Sequence, residues 1–187
     1  LHQKVSERFN LVIKVHPFLY AEAKKFTEIK DVLIPDFVDT NELLSVIDIL
    51  ITDYSSIFFD YLVTDKPILF YVWDYDDYNE TRGRYLSDEE LPGPTLFTID
   101  EVAKAVQNIG EVSVDYKEIY MNTKLRFAHH DDGNVTERIA EYIFKGNKAP
   151  LNVIKNSDTG KKKILIYPGG MMNNGITSSF INLMDNI

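Results

Sequence analysis

Four apolar runs at short intervals constrain the fold more than any other feature of this chain. They are LVIKV (11–15), VLIPDFV (32–38), ILIT (49–52) and PILFYVW (67–73), and stretches of helical composition separate them. YAEAKKFTEI (20–29), TNELLSVI (40–47) with Thr40 or Asn41 as its cap, and SIFFDYLV (56–63) fill the intervals, and Lys66–Pro67 stops the last of them. Strands that alternate with helices belong to a parallel sheet, because parallel neighbours need a crossover that a helix supplies. ILIT and ILFYV are apolar at consecutive positions, so both faces are buried and they belong in the middle. The expectation is an α/β unit with strands near 11–15, 32–35, 49–52 and 68–72 in one parallel sheet.

Beyond the fourth run, DYDDYNETRGRYLSDEELPGP (74–94) is a long polar excursion, a feature that in compact domains is usually functional or mobile. TLFTI then reads as a short edge strand, DEVAKAVQNI (100–109) as a helix capped by Asp100, and a further helix is expected over 113–126. GNVTERIAEYIF (133–144) is a helix with Asn134 as cap, Glu137 three residues on, and an apolar stripe of Ile139, Ile143 and Phe144. These elements make 1–145 one lobe. Residues 146–162, rich in Gly, Asn, Lys and Pro, read as a linker. Residues 163–187 begin afresh with a strand, a glycine loop and a helix opening at Thr177 or Ser178, a single βα unit too short to bury a core. The opening LHQKVSERFN has no initiator Met and reads as a cut inside a longer protein.

The 187 residues are 44% hydrophobic, enough for one packed domain and an additional piece. A net charge of −9 argues against binding nucleic acid, which needs basic patches, but leaves room for a local phosphate site. With no cysteine there is no disulfide or thiolate chemistry, which fits a cytoplasmic protein. No apolar run approaches the roughly 20 residues that span a bilayer.

Ligands of open α/β sheets bind outside the carboxyl ends of the strands. Three segments are expected there: His16 after the first run, Asp53, Ser55 and Ser56 after the third, and HHDDGNVTER (129–138) ahead of a helix. Free N–H groups at two helix starts would suit a diphosphate. Each piece also has a plainer reading. Asp53 and the serines are ordinary cap chemistry, as are Asp132, Gly133 and Asn134, and a histidine before proline is most often a strand-end residue. His129, His130, Asp131 and Asp132 lack the spacing of a metal site, so no metal or other cofactor is expected. Gly169, Gly170 and Gly175 have neither the Rossmann nor the P-loop spacing.

Taken in order, HPF, DILITDYSSIFFDY, KPILFY, RGRYLSDEELPGP and DDGNVTERIAEYIF resemble the CDP-glycerol glycerophosphotransferase family, the teichoic-acid primases and polymerases. The resemblance covers roughly residues 10–145. It implies a Rossmann-like lobe, the C-terminal, nucleotide-binding half of a two-lobed glycosyltransferase-B architecture. The segment 163–187 resembles the opening βα unit of a glycosyltransferase of the same type, which would join two transferases in one parent protein.

The implied reaction is attack of an acceptor hydroxyl on the β-phosphorus of CDP-glycerol or CDP-ribitol, with CMP leaving and a polyol-phosphate or glycan acceptor extended. In that reading His16, in the family's HP motif, contacts phosphate or does acid–base work. Ser55 and Ser56 hold phosphate oxygens, and Asp53 orders the turn or bonds a hydroxyl. Asp60 reaches a polyol or an arginine, and Arg82 is a further cation. Asp132, Gly133, Asn134 and Thr136 cradle the second phosphate or the ribose, with Arg138 as counter-charge. The family's other catalytic histidine belongs to the N-terminal half, so the isolated chain is expected to be inactive. The parent protein is expected at the inner face of a bacterial membrane, associated peripherally through its other parts. Two other readings remain open: a nucleotide-sugar transferase or epimerase of the same fold, and a docking module using the aromatic 70–86 segment.

Overall fold

The computed structural model describes residues 1–76, 78, 86–148 and 160. The chain divides into two compact units, Leu1–Glu141 and Tyr142–Ile187. The expected βα unit at 163–187 lies outside the described residues.

The first unit opens with α1 (His2–Val5) and α2 (Pro17–Ala23), followed by a 3-10 turn at Thr27–Ile29 and α3 (Thr40–Val46). Then come β1 (Leu50–Thr52), α4 (Ile57–Tyr61) with a 3-10 extension over Leu62–Thr64, and β2 (Ile68–Tyr71). After a 3-10 turn at Asp88–Glu90 follow β3 (Thr95–Leu96), α5 (Ile99–Gln107), α6 (Ile109–Asp115) and α7 (Lys117–Phe127). α8 (Val135–Lys145) runs into the second unit. Among the described residues no helix is long and apolar enough to cross a membrane.

The sheet is parallel, in the order β1-β2-β3. β2 is central, and its successive side chains serve opposite faces, as a strand's must. Ile68 and Phe70 pack with Phe58, Tyr61, Leu62 and Tyr120, whereas Leu69 packs with Val5, Val102 and Val106. Ile68 and Leu69 are fully buried, which is why this run reads as continuously apolar. Tyr61 and Tyr120 are buried with it, their hydroxyls donating to the carbonyls of Ile47 and Leu62, each at 3.2 Å.

The first two apolar runs do not join this sheet. They make one parallel bridge, Ile13 to Leu33, with the Ile13 N–H donating to Val32 at 2.7 Å and the Ile34 N–H to Ile13 at 2.8 Å. Pro35 interrupts the second run and Lys14 the first, so neither offers a full apolar ladder. Among the described residues, the expectation of four strands in one sheet is corrected to three strands and a separate bridge.

Caps shift in the same local way. Asp39, not Thr40 or Asn41, caps α3 by accepting from the N–H groups of Asn41 (2.8 Å) and Glu42 (3.1 Å). Thr98, not Asp100, caps α5, and Glu101 completes a capping box. The single helix expected over 113–126 is two, α6 and α7. Gly93 explains the Pro-Gly-Pro motif: a Cβ there would lie 1.9 Å from the Ile68 carbonyl oxygen, and Pro94 accepts from the Phe70 N–H at 3.0 Å. Only glycine lets this loop lie against β2.

Candidate functional site

The chain leaves β1 through Asp53, Tyr54, Ser55 and Ser56. Side chains close that turn: the Ser55 N–H donates to Asp53 Oδ1 at 2.9 Å, and the Ile57 N–H donates to Ser55 Oγ at 3.4 Å. Asp53 thus orders the turn through the Ser55 N–H. Ser56 stands at the N-cap of α4 with helical backbone angles and makes no side-chain cap bond.

Asp53 and Ser56 both line a cleft of about 150 Å³, whose walls include Tyr54, Phe58, Phe59, Phe70, Val72 and Leu91. An engineered apolar cavity of about 150 Å³ takes up benzene, so the space suits one small group, not a whole nucleotide. Asp88 and Thr95 add polar groups. Thr95 Oγ1 donates to Asp88 Oδ1 at 3.2 Å and the Tyr75 hydroxyl donates to Asp88 Oδ2, which holds that carboxylate in place. The Tyr54 and Tyr78 rings stack 3.6 Å apart.

His16 is the N-cap of α2, exposed, its Nδ1 accepting from the Phe18 N–H at 3.3 Å and its ring 4.8 Å from that of Phe18. Because Nδ1 accepts, a neutral imidazole carries its proton on Nε2, which then faces out as a donor. Asp60 is exposed on α4.

The Asp132–Arg138 segment is a second, self-contained turn. Gly133 has φ +81°, the left-handed region that favours glycine. The Asn134 N–H donates to Asp132 Oδ1 at 3.0 Å, and the Asn134 amide reaches back to the Asp132 carbonyl at 3.2 Å. Arg138 grips the Asp132 carboxylate at 2.7 and 2.8 Å and donates to the His130 carbonyl at 2.7 Å. The Arg138 guanidinium, and behind it the Asn134 N–H, hold the Asp132 carboxyl below the usual carboxylate range. Its charge is therefore spent within the turn. Thr136 is exposed in the first turn of α8.

The structure brings Asp53, Ser55 and Ser56 into one turn and Asp132, Gly133, Asn134 and Arg138 into another. Of the described candidate residues the cleft gathers Asp53 and Ser56; His16, Ser55, Asp60 and the 132–138 turn do not line it. Arg82 lies outside the described residues. Among the described residues no three His, Asp or Glu side chains group as a metal would require.

Sequence reasoning missed Asp88, although it lies inside the RGRYLSDEELPGP segment, Thr95, which directly follows that segment, and Lys14. The last carried a signal, a lysine inside an apolar run. Its ammonium donates to the carbonyls of Pro35 (3.1 Å), Asp36 (3.2 Å) and Val38 (2.8 Å).

A profile described as CDP-Glycerol:Poly(glycerophosphate) glycerophosphotransferase matches residues 1–145. The teichoic acid glycerol-phosphate transferase of Staphylococcus aureus is 32% identical over 148 residues, covering 78% of this chain and 38% of that protein. The teichoic acid poly(ribitol-phosphate) polymerase of Bacillus spizizenii is 31% identical over 157 residues, covering 81% of this chain and 25% of that protein. Among solved structures, the wall teichoic acid polymerase TagF superposes with a TM-score of 0.67 at 30% identity, over 78% of this chain and 36% of that one. A TagF variant soaked with CDPG gives the same TM-score at 29% identity. The chain thus spans roughly a quarter to two fifths of the length of these relatives. A profile match over most of the chain, with the DYSS and DDGN turns inside it, makes this chain a member of the CDP-glycerol:poly(glycerophosphate) glycerophosphotransferase family.

Proposed function

We propose that this chain is the donor-nucleotide lobe of a transferase that moves glycerol phosphate or ribitol phosphate from a CDP-polyol to a teichoic-acid or capsule-type polymer. The observation that carries the reading is the family match over residues 1–145, which includes the turn where Asp53 and Ser56 meet one cleft at the carboxyl end of β1. TagF, similar in fold and sequence, has been soaked with CDPG. The relatives include both glycerol- and ribitol-phosphate enzymes, so the polyol is named as either.

In the reaction an acceptor oxygen bonds to the β-phosphorus, the bond from that phosphorus to the oxygen bridging to CMP breaks, and the acceptor proton passes to a base. The phosphoryl group gathers negative charge that donors must balance. Ser55 and Ser56 supply hydroxyls at the turn. His16, with Nε2 as its outward donor, fits phosphate contact or proton donation to the leaving CMP better than proton abstraction. Arg138 is committed to Asp132, so the second turn offers Gly133, Asn134 and Thr136 to ribose or phosphate rather than a free cation. Arg82 remains the candidate counter-charge. The acceptor-presenting half and a peripheral attachment to the inner face of the bacterial membrane belong to the rest of the parent protein. Residues 163–187 would open a second, glycosyltransferase-like domain there.

Calorimetric titration with CDP-glycerol, CDP-ribitol and UDP-glucose tests the reading. A CDP-polyol should bind at least tenfold tighter than UDP-glucose. Preference for the UDP-sugar, or no binding of any of the three, would refute it.

A further inference from the structure

Thr123 is a polar residue buried in α7, 5% exposed, and the chemistry above makes no use of it. Its hydroxyl lies within reach of two carbonyls, that of Ile119 one turn back at 2.9 Å and that of Glu90 at 3.1 Å. The first bond is the usual resting place of a threonine inside a helix. The second ties α7 to the 3-10 turn at Asp88–Glu90. Arg126, three residues on, donates to Glu90 Oε1 at 2.7 Å, while Glu90 Oε2 accepts from the Ser87 N–H at 3.0 Å. The Ser87 N–H first, and then the Arg126 guanidinium, hold the Glu90 carboxyl below the usual carboxylate range, so this strut is charged at neutral pH.

The same helix also holds a second element. The Tyr120 hydroxyl donates to the Leu62 carbonyl at 3.2 Å, Lys124 pairs with Asp65 at 2.6 Å, and the Phe127 ring meets that of Phe59 edge-on at 4.9 Å. Phe59 lies in α4, and Leu62 and Asp65 belong to its 3-10 extension and cap. Positions 120, 123, 124 and 127 share one face of a helix. That face grips two elements far apart in sequence. One carries Ser56, Phe58 and Phe59, the other Asp88 and, next to it, Leu91. All five line the cleft, and none of the lining residues belongs to α7. α4 has five residues and the turn three, too few for either to hold its place by internal hydrogen bonds.

We propose that α7 is a brace that sets the width of the cleft, with Thr123 and Arg126 as positioning residues that hold the Asp88 turn against the Ser56 wall. The inference rests on the donor-nucleotide reading above and extends it to residues that do not line the cleft. Without the brace the turn spends part of its time displaced. A ligand that needs both walls then binds more weakly, by the fraction of time they stand together. The ion pair is largely open to solvent, with side chains 59% exposed at Arg126 and 44% at Glu90, so breaking it removes position more than stability.

The test titrates the 187-residue chain with CDP-glycerol well below its melting temperature, where a loss of stability alone leaves the dissociation constant unchanged. Arg126→Ala and Thr123→Val should each weaken binding about fivefold, as a turn in place roughly one fifth of the time would. The Arg126 contact runs through Nη1 alone, which a lysine can remake, so Arg126→Lys should restore affinity to within about twofold. Glu90→Gln added to Arg126→Ala should cost nothing more, because both changes cut the same strut. Lys4→Ala breaks an exposed pair with Asp100 on the other face of the sheet and should leave binding unchanged. Arg126→Ala should melt with the unaltered chain, so the outcome does not depend on how Thr123→Val folds. If CDP-glycerol binds the unaltered chain and Arg126→Ala leaves it within about twofold, or the Glu90 and Arg126 changes add, the brace is wrong while the donor reading stands. If the unaltered chain binds no CDP-glycerol, both fall.

Discussion

Gly93→Ala should be among the most damaging single-methyl changes in this protein. The new Cβ would lie 1.9 Å from the Ile68 carbonyl oxygen and 2.8 Å from its carbon, both backbone atoms of the central strand. A carbon–oxygen contact needs about 3.3 Å, so the loop or the strand must retreat by more than 1 Å. That retreat stretches the 3.0 Å bond from the Phe70 N–H to Pro94, which lies next in sequence. Losing it costs about 1–3 kcal/mol because Phe70 is buried, and repacking a filled core costs about 1–3 kcal/mol more. Alanine lowers the entropy of the unfolded chain, which returns about 0.4–1 kcal/mol. The net loss is about 1–5 kcal/mol, centred near 3, a large share of the 5–15 kcal/mol typical of a domain. Urea unfolding followed by fluorescence should show the midpoint falling by about 1–2 M at an unchanged slope. Gly110→Ala is the matched control: nothing lies within 4 Å of its Cβ and it sits in α6, so the midpoint should hold or rise. A Gly93→Ala midpoint within about 0.3 M of the parent protein would show that the loop yields freely and that the steric argument is wrong.

Thr98→Ala removes one arm of the capping box on α5 and should cost about 1 kcal/mol in the same assay; no change would mean that Glu101 alone suffices. Ser56→Ala removes a hydroxyl that makes no side-chain cap bond, so it should leave the melting temperature unchanged and weaken CDP binding by about fivefold. A stability loss with unchanged binding would assign Ser56 to the fold instead. Burial pushes the Tyr61 hydroxyl up to about 12 and that of Tyr120 upward as well. A raised acid favours folding in its neutral form, so this stability is whole below pH 10 and fades as pH climbs from about 10 toward 12. Urea midpoints between pH 8 and 11.5 should fall, and less steeply in Tyr120→Phe; parallel curves would contradict the assignment.

The elements legible in the sequence are those whose physics is local or dense. ILIT and PILFYVW read as buried parallel strands because consecutive apolar residues have no other compact use, and they are β1 and β2. GNVTERIAEYIF reads as a helix because its period is 3.6, and α8 spans Val135–Lys145. LVIKV and VLIPDFV have the same apolar character yet form one bridge, since pairing depends on what lies beside a strand. Cap positions moved by one or two residues because Asp39 and Thr98 compete with their neighbours, and only geometry separates such rivals.

Motif order in the sequence by itself determined the family, since HP, DYSS, PGP and DDGN stand in family sequence whatever their spatial relation. Only the tertiary structure decided how the charges and glycines in those motifs are used. Arg138 neutralises Asp132 instead of waiting for an anion, Lys14 anchors a turn 21 to 24 residues away, and Gly93 makes room for a strand carbonyl. A residue type states what a side chain is able to do. Which partner claims it depends on distances that the fold alone sets, because hydrogen bonds and ion pairs act over a few ångströms of space, not along the chain.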